Sequence, residues 1–396
     1  MRILFLTPYP PYPPHGGGPQ RMYQFIKGLS ARHEIWCLSF SPSPQASAAA
    51  APLADYCKLM LIHAPRRTLL RRAVQTLTSP LPDMALRARS SAFDDALNRL
   101  LARMSFDVVQ AESIEMAQHA IQARGRVPLA ILDQFNAEYV LQRRAALTDL
   151  RQVRRLHAGL YSLAQWQKLA RYETQVCSSV DRVVVVSAED RRALMQLSPA
   201  IDAAVVPNGV DTDFFAPGNQ DPQGDCLLFT GTMDFRPNID AVRWFVEEVL
   251  PLVRRRRPAY LRVVGRNPAA AVRSLARPGI VEVVGEVEDV RDSFRRAAVY
   301  VVPMRIGGGV RLKLLEAFSM ALPVVSTSMG TEGVEGLRDG EHCLLADTPG
   351  AFAGAIIQLL EDRELARRLG AAARELAYSR YDWRAIVPKL EMLYAG

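Results

Sequence analysis

The sequence predicts an α/β protein made of two doubly wound units, and three observations carry that prediction. At 396 residues the chain exceeds what one ordinary hydrophobic core organises, so two domains are expected. Short β-branched runs alternate with helical patterns from end to end, the signature of parallel sheets wrapped by helices. The stretch PNGVDTDFFAPGNQDPQGD at 207–225, rich in Pro, Gly, Asn and Asp, breaks the alternation and reads as a linker. A first domain over 1–206 and a second starting at 207 follow. Two such units facing each other across a hinge would place a cleft at the carboxyl ends of their strands, where open α/β sheets bind ligands.

The strand runs of the first half are RILFLT (2–7), EIWCLSF (34–40), FDVVQAE (106–112), LAILDQ (129–134) and DRVVVVSA (181–188). The second half opens on AAVVPNGVD and continues with CLLFTGTM (226–233), LRVVGRNP (261–268), VEVVGEV (281–287), VYVVP (299–303) and LPVVSTS (322–328). ASAAAAPLA at 46–54 is a low-complexity loop or helix start.

Composition narrows the class. With 49% hydrophobic and 23% charged residues the chain reads as a soluble globular protein. The opening MRILFLTPYPPYPP turns from a short apolar run straight into prolines, unlike a secretory leader. No later apolar run approaches the roughly 18 residues of a membrane span. Five scattered cysteines without a C-x-x-C pair fit a reducing cytoplasm, each as a small buried hydrophobe. The formal charge of +8 raises the question of a polyanionic partner. Two basic stretches concentrate it, PRRTLLRRA at 65–73 and a helical pattern over 141–173 with Leu150, Val153, Leu156 and Leu160 roughly on one side. These are either solvated basic faces or contacts to anionic lipid headgroups or an acidic partner. A nucleic-acid reading lacks zinc pairs and an RNP-like aromatic strand.

The candidate chemistry lies in two glycine runs. In the second half VYVVP delivers the chain into MRIGGGVRLKLLEAFSMA. Glycines let the backbone approach a ligand closely, and a helix start offers N–H groups and a positive dipole end to an anion. Arg311 in the first turn opposes that dipole, which calls for a negative ligand. Leu314, Leu315, Phe318 and Ala321 gather on one side, Lys313 and Glu316 on the other. That pair is either a surface ion pair or a set with Arg311 and Lys313 on phosphates and Glu316 on hydroxyls such as those of a ribose. The first half echoes this with RILFLT, a stiff proline-rich loop, and GGGPQRMYQFIKGL, where Arg21 falls in the first turns. Two anion-ready helix starts suit a diphosphate.

P-loop, G-x-G-x-x-G, G-x-S-x-G and H-E-x-x-H signatures are missing, and the six histidines show no metal-ligand spacing. His15, just before the first glycine run, is either a ligand contact or a solvent-facing loop residue. Asp211–Asp213 forms a D-x-D that turn chemistry explains better than a metal site.

Taken together, GGGPQR, VPNGVDTDFF, GTMDFRPNIDAVRWF, VVGRNP, VVGEVEDVRDSFRRAAVYVVP, GGGVRLKLLEAFSMALPVVST and GTEGVEG resemble the GT4 family of retaining glycosyltransferases with the GT-B fold, over nearly the whole chain and most strongly from 181 to 348. The resemblance implies two Rossmann-like doubly wound domains, the second running over 207–375 and holding a nucleotide sugar, with no metal and no cofactor beyond that co-substrate. It also implies that 376–396, ending RYDWRAIVPKLEMLYAG, is a helix crossing back to the first domain. Glu316 then holds the ribose, Gly308, Gly309 and Val310 line the sugar and phosphate pocket, and Val287 presents backbone to the base. Gly17 and Gly18 would close over the diphosphate. Arg311 and Lys313 are the cations for a departing diphosphate, displaced from its own face by an acceptor hydroxyl.

Three departures from the family pattern stand out. Gly308 stands where the first of two glutamates separated by seven intervening residues belongs, counting back from Glu316. Thr232 and Pro237 replace an Arg and a Lys after the first strand of the second domain, with Arg236 as a substitute. Phe135 takes the place of a His in LDQFNAEY, leaving Asp133, Asn136 and Glu138 as polar candidates on the acceptor or sugar side. The expected function is transfer of a hexose-type sugar from a nucleotide diphosphate sugar to a glycan or lipid-linked acceptor, in the cytoplasm or peripherally on its membrane. The rivals are a sugar-nucleotide-binding homologue without turnover and a sugar-nucleotide epimerase.

Overall fold

The computed structural model describes residues 1–65, 67–150, 156–218, 222, 224–306 and 312–395. The chain forms two compact units, Met1–Asn208 with Ile386–Gly396, and Gly209–Ala385.

The first unit is built on a seven-stranded sheet in the order β3-β2-β1-β4-β5-β6-β7, every pairing parallel. Its strands are β1 (Arg2–Thr7), β2 (Glu34–Ser41), β3 (Lys58–His63), β4 (Val108–Glu112), β5 (Leu129–Gln134), β6 (Arg182–Val185) and β7 (Ala203–Val205). Helices cover both faces, so β1, β4 and β5 are buried almost throughout and are largely apolar, with Gln110, Glu112, Asp133 and Gln134 as buried polar exceptions in β4 and β5. Phe5, Leu6, Val109 and Leu132 are fully buried there. Chain order reverses between β1 and β4, the switch point at which the strand ends leave a crevice for loops.

The second unit repeats the plan with six strands, order β10-β9-β8-β11-β12-β13, again all parallel. They are β8 (Cys226–Thr230), β9 (Tyr260–Val264), β10 (Val281–Gly285), β11 (Val299–Val302), β12 (Val324–Ser326) and β13 (Leu344–Leu345). Its switch point lies between β8 and β11.

Two expectations change. AAVVPNGVD does not open the second unit: β7 pairs with β6 and closes the first sheet. The return to the first unit starts at Ile386 and not at 376, because Ala377 and Tyr381 are buried in the second unit's core. All five cysteines are buried and unbridged.

Candidate functional site

The second unit places the sequence candidates at its switch point. Helix Leu312–Ser319 follows β11, and Leu314, Leu315 and Phe318 are fully buried beneath it. Ala321 lies past the helix end in a left-handed turn at φ 56°, off the stripe expected for it. Lys313 reaches across to the end of β8, where its ammonium sits 4.2 Å from the centre of the Phe229 ring and donates to Asn238 Oδ1 at 2.7 Å. Asn238 belongs to helix Arg236–Trp244, and its Nδ2 donates to the Thr232 carbonyl at 2.9 Å. Gly231 lies beneath both at φ +150°, where a Cβ would come within 2.8 Å of Asn238 Nδ2 and 3.0 Å of Lys313 Nζ.

Glu316 is one turn beyond Lys313 and half-buried. Burial pushes its carboxyl up to about 7, with the Lys313 charge pulling it down. Behind it Tyr300, on β11, shares a 2.7 Å hydrogen bond with Thr230 Oγ1. Burial, with the Glu316 charge adding to it, pushes that phenol up. Backbone crowding is extreme nearby: a Cβ on Gly265 would lie 1.6 Å from the Gly231 carbonyl oxygen. Val287 packs half-buried on the second core, past Gly285 at φ +83°. Arg236 is half-buried at the start of its helix. Gly308, Gly309, Val310 and Arg311 lie outside the described residues.

In the first unit, helix Gly17–Ser30 starts from Gly16 at φ 95° with no side-chain cap. Helices Ser91–Arg103 and Ala188–Leu197, by contrast, are capped by Ser90 and Ser187. His15 and Gly17 are exposed there. Gly18 is a close-approach position, because a Cβ would lie 2.4 Å from the Tyr9 hydroxyl and 3.1 Å from the Phe135 ring. The Phe135 ring therefore packs on the glycine helix.

Arg21 does not face a ligand. It is buried, donates Nε and Nη2 to the two Asp133 oxygens at 2.8 and 3.0 Å, and its Nη1 reaches the Pro207 carbonyl and Asn208 Oδ1. Asp133 is equally buried, so it is an internal ion-pair partner and not an open sugar contact. Asn136 and Glu138 stay half-buried, with Asn136 Nδ2 donating to Glu138 Oε1 at 3.2 Å. Burial raises Glu138 to about 7, opposed by the Asn136 hydrogen bond and reinforced by Glu115 and Asp190. Tyr9 is raised by burial and by Glu115, Glu112 and Glu138. Glu173 caps the following helix by accepting from the Glu138 and Tyr139 amides at 2.8 Å each.

Sequence reasoning missed Asn238, Gly231, Gly265, Tyr300 and Tyr9. GTMDFRPN did place a glycine and an asparagine after a strand, but nothing in the spacing shows that Lys313 meets them across the sheet. The D-x-D resolves as turn chemistry: Asp211 Oδ1 accepts from the Phe214 amide at 2.9 Å, and Asp213 pairs with Arg384 at 3.2 Å. Among the described residues, no group of three His, Cys, Asp or Glu is placed to hold a metal ion, and no helix is long and apolar enough to cross a membrane.

The description Glycosyltransferase Family 4 matches residues 15–214, and Glycosyl transferases group 1 matches 224–362. The chain belongs to glycosyltransferase family 4. It is 32% identical over 208 residues to a phosphatidyl-myo-inositol mannosyltransferase of Mycobacterium tuberculosis, covering 49% of this chain and 54% of the relative. A D-inositol 3-phosphate glycosyltransferase of Kineococcus radiotolerans is 29% identical over 247 residues, covering 54% and 56%. The chain thus spans about half the length of these curated relatives. Sucrose-phosphate synthase from Thermosynechococcus elongatus superposes with a TM-score of 0.75 at 19% identity, covering 100% of this chain and 98% of the other. Anabaena HepE, solved with UDP, gives 0.68 at 13% identity and covers 100% of both chains. These likenesses show the fold, which is GT-B.

Proposed function

We propose that this glycosyltransferase is a metal-independent, retaining hexosyltransferase that moves a hexose-type sugar from a nucleotide diphosphate sugar to a glycan or lipid-linked acceptor in the cytoplasm. The observation that carries the reading is the pairing of Lys313 with Glu316 on one helix at the β8/β11 switch point, the cation held beside Gly231 and the carboxyl half-buried one turn away. Lys313 meets the charge that develops on the departing diphosphate, and Glu316 accepts from the ribose hydroxyls. The acceptor hydroxyl enters on the face the diphosphate leaves, so no enzyme nucleophile is needed. Asn136 and Glu138 are the acceptor-side candidates, and Arg311 with the glycines before it completes the phosphate site. The relatives' names support a lipid-linked acceptor, since one of them acts on phosphatidyl-myo-inositol.

A lipid acceptor fits the exposed apolar side chains of the first unit. Leu70 and Val74 on helix Leu69–Thr78 are 76% and 50% exposed. Lys168 ties that helix's C-terminal end to helix Leu156–Cys177 through the Thr76 and Ser79 carbonyls. Leu160, expected on an apolar side, is exposed as well. Arg72 and Arg143 add positive charge near these helices, a combination suited to an anionic membrane surface.

The test is incubation of the pure protein with UDP- and GDP-sugars, with and without a lipid extract, following nucleotide diphosphate release. Release should persist in EDTA, and NMR of the product should show the donor's anomeric configuration. Donor binding without release in any combination would instead favour a binding-only homologue, the reading that Gly308 in place of a glutamate motivates. Co-sedimentation with phosphatidylglycerol vesicles should be weakened in Leu70→Glu/Val74→Glu; equal sedimentation argues against the membrane contact.

A further inference from the structure

We infer that Asn238 is a positioning residue for sugar transfer, acting by holding the Lys313 ammonium where the leaving diphosphate develops charge; this rests on the donor-site reading above. Asn238 is 5% exposed and uses both ends of its amide. Its Nδ2 donates to the Thr232 carbonyl at 2.9 Å, which fixes Oδ1 as the atom facing Lys313 at 2.7 Å. A flipped amide would set an NH2 group against the ammonium and oxygen against oxygen, so the orientation is determined by its neighbours. Gly231 contributes by lacking a Cβ, which would crowd both partners. The Phe229 ring beneath the ammonium adds an apolar floor with a cation-attracting face.

The same helix holds the other flank of the glycine segment. Arg305 makes a two-pronged pair with Asp240, Nε to Oδ2 at 3.1 Å and Nη2 to Oδ1 at 2.8 Å, and its guanidinium lies 5.4 Å from the Trp244 ring centre. Residues 305 and 313 are therefore both tied to helix Arg236–Trp244, on side chains two positions apart. A lysine held in place before the reaction stabilises developing charge without reorganising at the moment of transfer. Asn238 is thus expected to act on turnover more than on ground-state binding.

The experiment is a double-mutant cycle over Asn238→Ala and Lys313→Met, reading nucleotide diphosphate release from UDP-glucose and GDP-mannose and, by calorimetry, affinity for UDP and GDP. Asn238→Ala is expected to lower kcat by about 10- to 100-fold while donor KM stays within about three-fold. In the Lys313→Met background it should cost no more than about two-fold further, since the group it positions is gone. Should Asn238→Ala fail to fold, Asn238→Asp takes its place. That variant keeps an oxygen on Lys313 but adds a negative charge, so donor KM and the UDP or GDP dissociation constant should rise together in the Lys313 background and less in Lys313→Met. An Asn238→Ala kcat within two-fold of the unaltered enzyme, or losses that multiply in full, overturns the inference and leaves the donor site standing. If Lys313→Met changes neither turnover nor diphosphate affinity, the donor-site reading falls and the inference with it.

Discussion

Glu316 carries two demands that oppose each other. Burial raises its carboxyl to about 7 from the 4.5 of a free glutamate. A carboxyl raised in this way holds a proton that the unfolded chain releases, so its contribution to stability is present below about pH 4.5 and is lost as the pH climbs through 7. At pH 8 the ionised group costs about 1–3 kcal/mol, after allowance for its partial exposure. Glu316→Gln should therefore raise the unfolding midpoint at pH 8 while weakening binding of UDP-glucose or GDP-mannose. Donor affinity of the native protein should rise between pH 6 and pH 8, and the variant's should be flat. Calorimetry across that range decides it, and unchanged affinity in Glu316→Gln removes the ribose assignment. Arg21 gives the opposite case, a charge whose work is internal. Arg21→Met leaves Asp133 buried and unpaired, at a cost of about 3–5 kcal/mol in denaturant unfolding at pH 7. The loss should shrink at acid pH, where Asp133 takes up a proton, and in the double variant Arg21→Met/Asp133→Asn. An equal loss at both pH values would show that packing, and not charge, is what Arg21 supplies.

Among the elements, the strand ends decide what is tolerated. Gly265 follows β9 at φ +151°, and an added Cβ would meet the Gly231 carbonyl oxygen at 1.6 Å. Backbone cannot give way there as a side-chain tip would, so Gly265→Ala is expected to cost about 3 kcal/mol or more. A melting curve that matches the native protein would contradict the crossing of the two loops. Elements of this kind explain what was legible beforehand. RILFLT and LAILDQ coincide with β1 and β5, because strands covered on both faces are apolar along most of their length, with Thr7, Asp133 and Gln134 buried at the strand ends. KLMLIH escaped notice as β3 because it stands at the sheet's edge, half-exposed and poor in β-branched residues. Leu344–Leu345 is too short to announce itself. The site divides the same way. Lys313 and Glu316 are legible because they share a helix, and helical spacing is a property of sequence. Asn238 is 75 residues from Lys313, and Arg21 is 112 from Asp133; such partners are created only by sheet order.

At the scale of the whole molecule, the C-terminal segment belongs to the first unit although it follows the second. Ile386, Val387, Leu390 and Tyr394 are buried, and Gly28 gives room to Val387, which a Cβ there would meet at 2.7 Å. The Tyr394 hydroxyl donates to Gln110 at 2.6 Å, and Glu391 pairs with His33 at 2.7 Å. Four buried side chains at about 1.5–3 kcal/mol each amount to much of the roughly 5–15 kcal/mol by which a domain is stable. Deleting residues 386–396 should therefore unfold the first unit, whose seven-stranded sheet is otherwise intact in sequence. Leu390→Ala should weaken it by about 2–5 kcal/mol. The second unit is continuous from Gly209 to Ala385 and contains its complete six-stranded sheet, so that fragment alone should unfold cooperatively. Calorimetry of the truncated chain is then expected to keep the transition seen in the isolated fragment and to lose the other. Retention of both transitions would mean that the first unit's core does not depend on the returning helix.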